Sequence, residues 1–112
     1  MSQETRIPQA AAVVIVVGGT EAVIAATRSA AGVALAARVE EVSLSSAATA
    51  VSTFRPIAIV MTQDVYGFDA DEFDALARDV GATVVRVDGS LDRGRLERKL
   101  MPKLGQIARE RG

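Results

Sequence analysis

Residues 11–17 read Ala-Ala-Val-Val-Ile-Val-Val, a continuous apolar and largely β-branched run. Such a run is expected of a parallel strand covered on both faces, and it predicts the central strand of a sheet. Gly18-Gly19-Thr20-Glu21 then predicts a turn into a helix over residues 22–31, with Gly32 as its stop. Residues 33–39 alternate Val33, Leu35, Ala37 and Val39 with Ala34, Ala36 and Arg38, which predicts a second strand at an edge where Arg38 meets water. Leu44, Ala47, Ala48, Val51 and Phe54 share one face of a helix over residues 43–54. Arg55-Pro56 ends that helix, because proline disfavours helical geometry in the residue before it, and residues 57–61 form another fully apolar strand.

Residues 63–68 are expected to be a loop, followed by a helix to Val80 whose capping box pairs Asp69 as N-cap with Glu72. Gly81 stops that helix and residues 83–87 give a fourth strand. Ser90 or Asp92 caps a last helix carrying Leu96, Leu100, Leu104 and Ile107, which Pro102 is expected to kink or split. Strands alternating with helices over short loops imply right-handed βαβ crossovers. The expected fold is therefore an α/β, flavodoxin-like open parallel sheet of about four strands in the order 2-1-3-4, with helices on both faces.

A chain of 112 residues with 49% apolar and 24% charged residues fits one compact domain, here taken as 11–112 behind a flexible leader at 1–10. The absence of Cys and His has a larger consequence, since it excludes disulfides, thiolate nucleophiles, imidazole bases and nearly all zinc, haem and iron–sulfur sites. Chemistry is left to carboxylates, hydroxyls, Arg, Lys and backbone amides, and no cofactor or metal is expected. The apolar run at residues 10–17 is far shorter than the roughly 20 residues that cross a bilayer, and a buried strand explains it better than a secretory segment. A cytoplasmic location is expected.

The net charge of −1 conceals an asymmetry of −6 over residues 1–92 against +5 over residues 93–112. Arg93, Arg95, Arg98, Lys99, Lys103, Arg109 and Arg111 offer a basic segment for nucleic acid. A plain solvated helix face is the preferred role, because no aromatic is interleaved for base stacking.

Gly18-Gly19-Thr20 delivers a strand to a helix N-terminus, whose free amides and positive dipole end attract anions. The two glycines equally serve a tight turn with Thr20 as N-cap, the favoured role, since neither phosphate-binding fingerprint is present. Asp64, Asp69 and Asp71 follow the third strand and would lie near Gly18, where three carboxylates could recruit a cation, but Asp69 and Asp71 are already used as cap and first-turn partners, which leaves only Asp64 and argues against a metal site. Tyr66 and Phe68 flank Gly67 and are candidates for a partner contact or for folding back on the core. Thr62 is expected to hydrogen-bond across to the Gly18-Gly19 turn rather than to act as a nucleophile.

The stretch from Ala47 through Pro56 and Ile57-Ala58-Ile59-Val60-Met61 to Thr62, followed by Tyr66-Gly67-Phe68-Asp69-Ala70-Asp71-Glu72-Phe73, resembles the receiver domain of two-component response regulators. The resemblance covers about residues 11–88. Receivers take phosphate on an Asp where this chain has Thr62, and hold Mg²⁺ on an acidic pair where it has Gly18-Gly19. No Lys follows the fourth strand. The resemblance therefore implies a degenerate, shortened pseudo-receiver without enzymatic activity, a bacterial-type signal-transduction module acting through a protein partner or a homodimer. Tyr66, Phe68, Arg95, Arg98 and Lys99 are its contact candidates. The alternative is a small-anion or nucleotide site formed by Gly18, Gly19, Thr20, Asp64 and Asp88.

Overall fold

The computed structural model describes residues 12–111, so the leader expected at 1–10 lies outside the described residues. The strands β1 (Val13–Val17), β2 (Arg38–Val42), β3 (Ala58–Thr62) and β4 (Thr83–Val87) form one sheet in the order β2-β1-β3-β4. Every pairing is parallel, with Val14 beside both Val39 and Ala58, and Val60 beside Val85. The expected order 2-1-3-4 and the all-parallel, flavodoxin-like arrangement are both found. Between the strands run α1 (Glu21–Leu35), α2 (Ala47–Phe54), α3 (Gln63–Phe68) and α4 (Ala70–Val80), and α5 (Arg93–Arg111) follows β4.

The two-residue side-chain period of a strand divides the core. Val14, Val16, Ala58, Val60, Val85 and Val87 pack in one cluster with α1 and with the Leu96, Leu100, Leu104 and Ile107 row of α5. Val13, Ile15, Val17, Ile59 and Met61 pack in the other with Ala47, Ala50 and Val51 of α2 and Phe73 and Ala77 of α4. All residues of β1 and β3 are buried, which is why β1 and β3 up to Met61 read as unbroken apolar runs.

The second strand departs from expectation. Residues 33–35 belong to α1, which passes through Gly32 and ends on Ala36 in the left-handed region at φ 50°. Alanine is the strongest helix former, and the Ala-rich stretch carries the helix across one glycine, which costs about 1 kcal/mol. The Ala37 N–H then turns back to the Ala31 carbonyl at 3.2 Å. The strand itself is Arg38–Val42, at the edge as anticipated and with Arg38 exposed. Three of its five residues are charged, a composition that discourages pairing with a further strand.

Residues 44–46 form a 3₁₀ turn before α2 rather than its first helical turn. Residues 63–68, expected as a loop, are the short helix α3. Asp69 does not cap α4 with its side chain; only its carbonyl enters the helix, accepting from the Phe73 N–H at 3.1 Å. Asp92 caps α5 by accepting from the Arg95 N–H at 2.9 Å, and Pro102 lies inside that helix without splitting it.

Candidate functional site at the carboxyl edge of the sheet

In open α/β sheets, ligands bind outside the carboxyl ends of the strands, where connections leave neighbouring strands for opposite faces. Here α1, after β1, and α3, after β3, diverge at that point. A cavity of about 260 Å³ opens there, lined by Gly18 and Thr20 from the end of β1, Thr62, Gln63 and Asp64 from the end of β3, and Asp88, Gly89 and Ser90 after β4. It gathers Gly18, Thr20, Thr62, Asp64 and Asp88, which lie up to seventy positions apart in the chain.

The backbone explains how these residues meet. Gly18 turns the chain at φ +61°, its N–H donating to the Val42 carbonyl at 2.9 Å. Gly19 does not line the cavity; it lets β1 and α1 approach, because a Cβ at Gly19 would sit 2.6 Å from Val16 Cγ1. Thr20 caps α1, its hydroxyl accepting from the Val23 N–H at 3.2 Å, while the Ile24 N–H reaches the Thr20 carbonyl at 2.9 Å. Among the described residues no group accepts from the N–H of Glu21 or Ala22. Those are the amides that an anion meets at a helix N-terminus.

Thr62 makes a different bond from the one expected. Its hydroxyl accepts from the Val65 N–H at 3.3 Å and caps α3, so it does not tie β3 to the Gly18-Gly19 turn. Gly89 lies over it so closely that a Cβ there would come within 2.8 Å of Thr62 Cγ2. Asp88 is exposed, and its Oδ1 accepts from the Ser90 N–H at 2.9 Å and the Ser90 hydroxyl at 2.7 Å. Those two hydrogen bonds hold the Asp88 carboxyl below its ordinary 3.8, so it is ionised at neutral pH with Oδ2 outside them.

Of the three carboxylates expected together, only Asp64 lines the cavity, and Asp69 lines a separate groove at the start of α4. Among the described residues no three acidic side chains gather as a cation site. Gln63, Gly89 and Ser90 were not anticipated as lining residues. The Asp88-Gly89-Ser90 run that follows β4 is the sequence signal for the last two.

The aromatic pair separates. Tyr66 folds back, donating its hydroxyl to Asp74 Oδ2 at 2.9 Å, with the Arg86 guanidinium 4.6 Å from its ring centroid. Phe68 is 74% exposed. Neither lines the carboxyl-edge cavity, which they leave open. Arg95, Arg98 and Lys99 are exposed on α5, opposite its buried leucine row, and do not line that cavity. Two neighbouring cations on α5 have acidic partners, Arg93 with Glu97 at 2.9 Å and Arg95 with Asp92 at 3.9 Å. Among the described residues no helix is long and apolar enough to cross a membrane.

The sequence matches no family model and no curated protein. Among solved structures the chain is similar to the lactose-specific IIB component domain of the phosphoenolpyruvate:carbohydrate phosphotransferase system from Streptococcus pneumoniae. The two share 16% identity over 91% of this chain and 97% of that one, with a TM-score of 0.48. That domain belongs to a different family from the receivers, so the receiver resemblance is corrected. The helix–proline–strand stretch that carried it is common to α/β domains of this rhythm. With it go the non-catalytic pseudo-receiver, its role in signal transduction and the expectation that the chain is not an enzyme, all of which rested on that resemblance. At that identity and TM-score the likeness assigns this chain no activity, substrate or partner.

Proposed function

We propose that the carboxyl edge binds a small phosphorylated metabolite that also carries hydroxyl groups, of the size of a pentose or hexose phosphate. The observation that carries this reading is the mixed chemistry of one cavity. Gly18 and Thr20 line it where α1 begins, and Asp64 and Asp88 stand among the other lining residues. Helix-terminal amides suit an oxyanion, and carboxylates accept hydrogen bonds from hydroxyls while repelling a second anion. A ligand with both groups satisfies both ends, whereas bare phosphate meets two unfavourable charges. The 260 Å³ volume lies below the roughly 300–1,000 Å³ of drug-sized pockets, which favours a single sugar phosphate over a dinucleotide.

Gln63 adds an amide that both donates and accepts, and the Ser90 hydroxyl, whose proton goes to Asp88, adds an acceptor. Any covalent phosphoryl step would need a carboxylate or hydroxyl acceptor, because the chain has neither His nor Cys. The test is amide chemical-shift mapping with ribose 5-phosphate, glucose 6-phosphate, inorganic phosphate and glucose. Saturable shifts at Gly18 to Ala22, Gln63, Asp64 and Asp88 to Ser90 are expected with the sugar phosphates, weaker ones with phosphate, and none with glucose. Silence at those amides with every sugar phosphate would reject the reading.

A further inference from the structure

On the face covered by α2 and α4 lies a second concavity, a groove of about 310 Å³ lined by Leu44, Ala47, Ala48, Phe68, Phe73 and Leu76 with Asp69 and Glu72. Among the described residues three large hydrophobic side chains are exposed, Val33, Leu44 and Phe68, and two of them meet in this groove. Phe68 is 74% exposed at the last position of α3, while Phe73 beneath is buried at 4%. An exposed aromatic beside a concave apolar surface is the arrangement that concentrates binding energy in protein interfaces.

The charge around the groove is of one sign. Asp69 and Glu72 are exposed within its lining, Asp71 is exposed between them in sequence, and no Lys or Arg lines it. An acidic rim around an apolar centre favours a partner of opposite charge and raises its encounter rate. A second copy of this chain complements the rim poorly. Its basic helix α5 keeps Leu96, Leu100 and Leu104 fully buried, so it offers cations without a free apolar side chain.

We propose that this groove docks a basic amphipathic segment of a partner protein, one large apolar side chain inserting beside Phe68 and flanking Arg or Lys residues meeting Asp69 and Glu72. Helix-in-groove recognition has this form, with apolar anchors at helical spacing and a polar outer face. The surface is separate from the carboxyl-edge cavity, and the proposal stands whether or not a sugar phosphate binds there.

The test is selection of a phage-displayed random peptide library on the immobilised full chain, followed by amide shift mapping with the enriched peptide. Enriched sequences are expected to carry Leu or an aromatic flanked by Arg or Lys, and to shift Ala48, Phe68, Glu72 and Leu76. Phe68→Ser, at an exposed position where folding is retained, is expected to weaken binding by about tenfold or more, and Glu72→Lys to weaken it and flatten its salt dependence. Enrichment of peptides without basic residues, mapping to another surface, unchanged affinity in Phe68→Ser, or no enrichment would each overturn the proposal. A wild-type dimer in sedimentation that Phe68→Ser dissociates would overturn it in favour of a second copy.

Discussion

Gly19 is the tightest position in the turn that leads β1 into α1. A methyl group there would overlap Val16 Cγ1, which belongs to a fully buried side chain of the central strand and has nowhere to retreat. Gly19→Ala is expected to cost about 1–3 kcal/mol in urea unfolding, as overpacking of a filled core does. Tyr66 offers a different probe, because it is the single tyrosine of a chain without tryptophan. Its hydrogen bond to Asp74, helped by partial desolvation and the Asp74 charge and opposed by Arg86, raises the phenol above its ordinary 10.0. The folded chain therefore keeps the proton at pH values where the unfolded chain releases it. That contribution to stability is complete below about pH 10 and is lost as pH rises through the folded value. Tyrosinate absorbance should give a midpoint above 10.0, and Asp74→Asn should lower it. An unchanged midpoint in Asp74→Asn would refute the assigned cause.

Helix α1 shows where a local pattern has two solutions. Residues 33–39 alternate well enough for a strand, yet an Ala-rich stretch fits the helical period equally, and α1 extends to Leu35. The true β2 has little apolar content to announce it, being an edge strand with Arg38, Glu40 and Glu41 among its five residues. Gly32 separates the alternatives experimentally. In mid-helix, with open space where a Cβ would go, Gly32→Ala should stabilise the fold by about 1 kcal/mol; at a left-handed helix stop it would destabilise. Elements β1, β3 and β4 were legible because apolar strand residues are bracketed by turn residues. The six-residue α3 was not, being too short to show a period, with its N-cap Thr62 also the last residue of a strand. The cavity residues Gly18, Thr20, Asp64 and Asp88 were legible for a related reason, since each follows a recognisable strand. Gln63 and Gly89 follow the same two strands, but a strand end alone does not say which of the residues after it face the cavity, which depends on how two loops approach each other.

For the molecule as a whole, the strand order matters more than any single motif. With β1 and β3 in the centre, their following loops open toward opposite faces, and the loop after β4 closes the third side of the cavity. The basic end of the chain lies on the solvent side of α5, so the charge asymmetry between residues 1–92 and 93–112 marks a helix face and not the walls of the cavity. Exposed ion pairs such as Arg28 with Glu41 at 3.3 Å contribute about 0–1 kcal/mol each, leaving the two buried layers to carry stability. Under the proposed function, this architecture joins the start of α1 to hydroxyl-accepting carboxylates in one site. The most direct measurement compares wild type with Asp88→Asn by calorimetric titration against ribose 5-phosphate and inorganic phosphate. If Asp88 accepts sugar hydroxyls while repelling free anions, the substitution should weaken the sugar phosphate and strengthen inorganic phosphate, so that their affinities converge. Parallel changes in both ligands, or no binding of the sugar phosphate to wild type, would contradict it.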